Sequence, residues 1–272
     1  GSRLFGGQVL AQASAAAYRT VDNVHLHSLH AYFLRPGRVD LPVLYEVERV
    51  RDGRSFTTRR VVAIQKGQAI FNMDASFQGD EVGLEHSAPM PNVPMPDELR
   101  EDVEVARELG GPKADPRMSP MAKVDRPFHL RSVFKLGSDA WGEDRFWNPT
   151  WIKFREAVSL PSAIDDPEAT AFRLQALSRC LIAYASDMGL VSTAVLPHQS
   201  GTSRGDVQMA SLDHSLWIHR SASLDQWLLF HKRTSTAQGS RGMVHSEFFG
   251  ENGTLVASMT QEGLLRKRRD AS

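Results

Sequence analysis

The order of hydrophobic periodicities runs twice through this chain: one apolar helix, then four strand-length segments, then the same series again. In the first pass, Gly6-Gly7 precedes QVLAQASAAAYRTV, rich in Ala, Leu and Val and free of Pro and Gly. That composition predicts a helix of about four turns. Strands are predicted over Val24–Leu34, Val43–Val50, Ser55–Gln65 and Ala69–Phe77, punctuated by Arg35-Pro36-Gly37, Asp52-Gly53 and Lys66-Gly67. In the second pass the helix covers Phe172–Leu190. Its strands are Val207–His219, Trp227–Thr236, Ser240–Phe249 and Thr254–Leu264, with a hairpin turn at Glu251-Asn252-Gly253. Short motifs coincide when one half is laid on the other: LAQASA over IAYASD, HSL over HSL, and FQG over TQE.

A helix enfolded by an antiparallel sheet, twice over, is an α+β double hotdog, two tandem repeats whose sheets can join edge to edge and remove exposed edge strands. Residues 1–88 read as the N-terminal repeat. Residues 89–123 read as a Pro-rich and acidic linker, because Pro89, Pro91, Pro94 and Pro96 exclude regular structure and an acidic helical stretch follows over Asp97–Leu109. Residues 124–272 read as the C-terminal repeat, with strand-like segments at Phe128–Phe134 and Trp151–Glu156 ahead of its helix.

Bulk properties narrow the function. Lys and Arg balance Asp and Glu at 32 each, and the pI is about 7.3, so no general affinity for nucleic acid or an anionic membrane is expected. No run of 18 or more apolar residues occurs and no signal peptide precedes the first motif, so a soluble, cytoplasmic protein without membrane insertion is expected. The single cysteine, Cys180, has no internal partner, which fits a reducing compartment, and its apolar surroundings make it a small core side chain rather than a nucleophile. Arg266-Lys267-Arg268-Arg269 reads as a solvated tail.

One residue does not fit its surroundings. The second helix, FRLQALSRCLIAYASDMGL, is apolar nearly all round in its middle, which predicts burial on every side. Asp166 and Pro167 suit its N-cap and first position, and Gly189 suits its stop. Just before that stop stands Asp187. A carboxylate stripped of water costs several kcal/mol unless it has partners or a purpose.

The residues also carry a family resemblance. RLFGGQVLAQA, HSLHAYFLRPG, RDGRSFTTRRVVAIQ and DASFQ in the first half, with YASD, SLDHSLWIHR and TQEG in the second, resemble the acyl-CoA thioesterase II (TesB-type) family. The resemblance implies hydrolysis of fatty acyl-CoA to free acid and CoA. It also implies a catalytic trio of Asp187 in YASD, Ser211 in ASLDH and Gln261 in TQEG. Ser211 stands where the best-known members have Thr, and both hydroxyls offer one donor and two acceptor lone pairs.

Such chemistry needs a positioned water, a proton acceptor and a polarised carbonyl. Asp187 suits the base, because burial and the negative end of the helix dipole both raise its pKa. Ser211 and Gln261 can hold the water without changing charge. Gly6 and Gly7 ahead of the first helix are candidate oxyanion donors through their N–H groups. Arg54, Arg59 and Arg60 are candidates for the CoA phosphates, against the plainer reading of a solvated strand face. No cofactor is expected, and the scattered histidines give no metal-ligand spacing. Asp213-His214 resembles an Asp-His pair, but neighbours on a strand face opposite ways, so a structural role is expected for both.

Each residue has a plainer alternative: Asp187 bonded to nearby backbone N–H groups, Ser211 an ordinary strand residue, Gln261 solvated. Under the overlay of halves, Asp187 falls on Ala15, Ser211 on Val24 and Gln261 on Gln78, so one competent site per chain is expected. Two other activities remain open, a double-hotdog hydratase or dehydratase and a non-catalytic acyl-CoA binder. Homo-oligomerisation is also expected.

Overall fold

In the computed structural model of the chain, the described residues are 3–109, 127–134, 146–160, 166–198 and 206–268. The latter part of the acidic linker, Arg269 of the basic tail and the first two residues lie outside them. The first repeat comprises α1 (Gly6–Tyr18), β1 (His25–Phe33), β2 (Leu44–Asp52), β3 (Phe56–Gln65) and β4 (Gln68–Gln78). A 3-10 turn at Pro96–Glu98 and the short α2 (Asp102–Glu108) follow. Next come β5 (Phe128–Ser132), β6 (Thr150–Phe154), α3 (Pro167–Ser186), α4 (Leu190–Thr193) and a 3-10 turn at Leu196–His198. The chain ends with β7 (Val207–Ser211), β8 (Asp213–Ile218), β9 (Leu228–Gln238), β10 (Arg241–Gly250) and β11 (Leu255–Lys267).

All eleven strands form one antiparallel sheet in the order β2-β3-β4-β1-β8-β11-β10-β9-β6-β5, with β7 also paired to β11. The repeats fuse where β1 meets β8, with Leu29 opposite Leu216. Inward-facing residues alternate along the strands as a one-sided sheet requires. On β4, Phe71, Met73, Ala75 and Phe77 are buried while Asp74 is exposed; on β10, Val244, Ser246 and Phe248 are buried. The core they form encloses α1 and α3.

The start of α3 is set locally. The Asp166 carboxylate accepts from Glu168 N (2.9 Å) and Ala169 N (3.3 Å), and Pro167 occupies the first turn. With the residues up to His198 it is long and apolar enough to cross a membrane by composition alone, but most of that surface is buried inside the fold.

Two expectations are revised. Val207–His219 is not one strand: it breaks at Leu212, so that β7 pairs with β11 beyond Gly263 while β8 pairs with β11 before Thr260. The Asp213 carboxylate fills the gap by accepting from Glu262 N (2.8 Å). The Pro-rich segment, irregular as expected, is a strap packed on the sheet. Trp151, Leu229 and Phe249 form a small cluster covered by Met90, Val93 and Leu99, and Trp151 Nε1 donates to Pro94 O (2.8 Å). The acidic helix is also shorter than expected, and its start caps the sheet edge. Glu101 Oε2 accepts from Leu130 N (3.2 Å) and Asp102 Oδ1 from Ser132 N (2.7 Å), so two carboxylates stand in for the missing neighbour of β5.

Candidate active site

Asp187 is the C-cap of α3 and only 8% exposed. Its Oδ2 accepts from Gly7 N, in the first turn of α1, at 3.0 Å. Its Oδ1 accepts from Ser211 Oγ at 3.2 Å. Ser211 Oγ in turn accepts from Gln261 Nε2 at 2.6 Å. The three residues arrive from α3, the end of β7 and the middle of β11. The break at Leu212 leaves Ser211 on β7 and Gln261 at the point where β11 changes partner from β8 to β7.

Burial dominates the acidity of Asp187 and pushes its pKa from 3.8 up to about 6. Gln261, Ser211 and the Gly7 N–H each oppose that rise by favouring the charged form. The Gln261 amide is close enough to act on the carboxylate, although its hydrogen bond by geometry goes to Ser211 Oγ. The result is a carboxylate that is mostly ionised at neutral pH yet basic enough to accept a proton, which is the range a general base needs.

Gly6 and Gly7 are explained by close approach. A Cβ on Gly6 would lie 2.6 Å from Asp187 Oδ2, and one on Gly7 would lie 2.2 Å from Tyr184 O. Only residues without side chains let the start of α1 come this near the end of α3. Gly7 N–H is therefore engaged as a donor to Asp187, a use different from the expected oxyanion contact. Aromatic rings from both repeats surround the spot: Phe33 lies beside Gly6, Phe5 meets Tyr184 edge-on at 5.0 Å, and Tyr184 stacks on Phe128 at 5.7 Å.

The network continues past the trio. Gln261 Oε1 lies 2.7 Å from His214 Nδ1, and His214 Nε2 lies 2.9 Å from Ser186 Oγ. Asp213 points elsewhere, to Glu262 N, so Asp213 and His214 do not act on one another. Sequence reading assigned His214 a structural role and did not reach Ser186 at all. The available signal was that Ser186 is the penultimate residue of YASD, one position before the buried acid.

The arginines do not join the site. Arg59 is 2% exposed, and its guanidinium donates to Thr20 Oγ1, Thr20 O, Asp52 Oδ1 and the carbonyls of Arg51 and Thr58. That engagement removes it as a phosphate ligand. Arg60 is paired with Asp74 at 2.9 Å on the exposed face, and Arg54 is exposed in the turn between β2 and β3. Cys180 is buried, and burial pushes its thiol up to about 12, so it is inert.

A helix enfolded by an antiparallel sheet, twice over in one continuous sheet, is the double hotdog architecture, and comparison with known proteins agrees. Residues 1–78 match the model of the acyl-CoA thioesterase N-terminal domain, and residues 167–264 match that of acyl-CoA thioesterase. The chain is 34% identical over 273 residues to acyl-CoA thioesterase 2 of Haemophilus influenzae, covering 97% of this chain and 88% of that one. It is 36% identical to acyl-coenzyme A thioesterase 8 of Mus musculus, covering 99% of this chain and 82% of that one. Among solved structures, acyl-CoA thioesterase II TesB2 from Mycobacterium marinum superimposes with a TM-score of 0.75 at 35% identity, over 97% of this chain and 90% of that one. The chain belongs to the TesB-type acyl-CoA thioesterase II family, a family of thioester hydrolases.

Proposed function

We propose that this chain hydrolyses fatty acyl-CoA to free acid and CoA, with Asp187, Ser211 and Gln261 activating a water. The observation that carries this reading is the convergence of the trio. A buried carboxylate accepts from a hydroxyl 24 residues away, and that hydroxyl is held by an amide 50 residues further on. A carboxylate kept only for structure would need no such exchangeable partners.

In this scheme a water sits against Asp187 and the spare lone pair of Ser211. Asp187 takes one of its protons as the water oxygen adds to the thioester carbonyl carbon. The tetrahedral intermediate then collapses, the C–S bond breaks, and the CoA thiolate receives the proton from Asp187. For the oxyanion, the Gly6 N–H in the first turn of α1 is the candidate, since Gly7 N–H is held by Asp187. The surrounding rings exclude bulk water and so strengthen each of these contacts.

The test is release of free thiol from palmitoyl-CoA by the wild type and by Asp187→Asn. The expected result is release by the wild type and a loss of at least about a hundredfold in the variant, as for removal of a general base. Tight acyl-CoA binding with no thiol release by the wild type would overturn the reading in favour of a binding protein.

A further inference from the structure

Four hydrogen bonds run in series from Ser186 to His214, Gln261, Ser211 and Asp187, at 2.9, 2.7, 2.6 and 3.2 Å. We infer that His214 is a positioning residue: through Nδ1–H it fixes which end of the Gln261 amide faces Ser211, and so directs the hydroxyl proton of Ser211 to Asp187. This rests on the catalytic reading of the trio proposed above.

The argument is one of donors and acceptors. An amide presents two N–H donors at one end and an oxygen at the other, and turning it over exchanges them with little change in shape. Gln261 is 1% exposed, so bulk solvent does not decide its orientation. Its oxygen faces His214 Nδ1, so that nitrogen must carry the proton, and Nε2 of the neutral ring must accept. Ser186 Oγ meets Nε2 and supplies the donor. It has one proton and two takers, because Ala183 O also lies 2.9 Å away. Given to Nε2, that proton selects the tautomer that donates to Gln261.

The reversed tautomer would set two acceptors against each other at the Gln261 contact. The amide would then turn over and present its oxygen to Ser211. Ser211 would donate to Gln261 instead of Asp187, and Asp187 would lose a donor. His214 is placed to prevent this. It is fully buried, its two nitrogens meet, among the described residues, only Gln261 of β11 and Ser186 of α3, and its strand neighbour on β1 is Ala31. The ring forms no ion pair among the described residues, and burial holds it neutral, with its pKa lowered to about 4.

Two variants separate this role from plain packing. His214→Leu removes the donor. Its kcat should fall about ten- to a hundredfold with KM nearly unchanged, as for a misplaced catalytic group. The acid limb of its kcat–pH profile should also move up by about half to one unit, because Asp187 has lost a hydrogen bond. His214→Asn places an amide N–H close to where Nδ1–H stood. It should recover most of the lost rate and return the acid limb to its wild-type position.

A folded His214→Leu protein with wild-type kcat and acid limb would overturn the inference. So would a folded His214→Asn protein with a hundredfold loss, and this second result decides the matter even if the Leu variant fails to fold. Asp187→Ala keeps the two proposals apart. If it is inactive while His214→Leu is unaffected, only the positioning role fails. If it remains active, the reading of the trio fails and the positioning role falls with it.

Discussion

Asp187 is held at a cost, and the sign of that cost can be measured. Its carboxyl ionises from 3.8 in the unfolded chain but near 6 in the fold, so between those values the folded state binds more protons. Stability is therefore fully present below about 4 and is lost as pH rises through about 6. With each pH unit between the two values worth about 1.4 kcal/mol, the penalty at pH 8 is at most about 3 kcal/mol. Asp187→Asn keeps the shape and removes the charge. It should raise the melting temperature at pH 8, give little change at pH 4, and abolish turnover. The wild-type kcat should fall on the acid side with a limb near pH 6, as the base becomes protonated; a flat profile down to pH 4.5 would contradict this assignment. Lys232 is a second buried charge, with the opposite sign. It is 4% exposed, donates to Thr150 Oγ1 at 3.1 Å and lies over the Phe230 ring. Burial lowers its pKa to about 7, with Asp102 opposing the shift. The fold thus favours the neutral amine, and stability is lost as pH falls from above 10 through 7. Lys232→Met should stabilise the protein most below pH 7 and progressively less towards pH 10 in thermal melts. The sequence exposed Asp187 because an acid stood out in an apolar helix. Lys232 in WLLFHKRTST offered no such contrast, since the adjacent Arg233 makes the pair read as a solvated stretch.

Among the elements, α1 and α3 matter most, because their contact is where the site forms. Gly7→Ala would drive a methyl to 2.2 Å from Tyr184 O, a backbone atom that cannot turn aside. The helices must separate, at about 1–3 kcal/mol as for other overpacked contacts. Gly6→Ala meets the Asp187 carboxylate itself at 2.6 Å, together with Phe33. It should cost more in kcat than in stability, and Gly7→Ala should cost heavily in both. Comparing melting temperature with kcat for the two variants tests this. Most elements were legible from periodicity: β1 to β4 and β9 to β11 begin or end within a few residues of the expected positions. The break at Leu212 was not, because no Gly or Pro marks it and the Asp213 side chain completes the ladder instead. Strand parity did hold information about Arg59. It shares the inward face with Val61 and Ala63, which already excluded it from a solvated run. Unlike Asp187, the other two members of the proposed trio were legible only through resemblance to a family. Ser211 and Gln261 are ordinary strand residues until β7 and β11 pair, and no local pattern encodes that pairing.

For the whole molecule, the question is whether two repeats give two sites. The overlay of sequences set Ala15 against Asp187, but Ala15 is an exposed residue within α1, whereas Asp187 is a buried cap. Aligning helix ends sets the cap Arg19 against Asp187 instead. The expectation of one site per chain does not depend on the register, because Ala15–Thr20 contains no acid. Just beyond that end, Thr20 receives the Arg59 guanidinium on both its hydroxyl and its carbonyl, so the first repeat places a cation where the second places a carboxylate. A cation beside a helix C-terminus is stabilising, and an anion there is not. The other two positions diverge as well. Val24 lies outside any strand and carries no hydroxyl, and Gln78 donates to Glu81 rather than reaching inward. The first repeat instead lends Gly7 N–H to the acid of the second, so the proposed site draws on both repeats. Titration with a non-hydrolysable acyl-CoA analogue should give one catalytic-type site per chain, and Asp187→Ala should lose the whole of the activity. Two sites, or half the rate remaining in Asp187→Ala, would show that the first repeat hydrolyses thioesters with groups other than an acid at the end of α1.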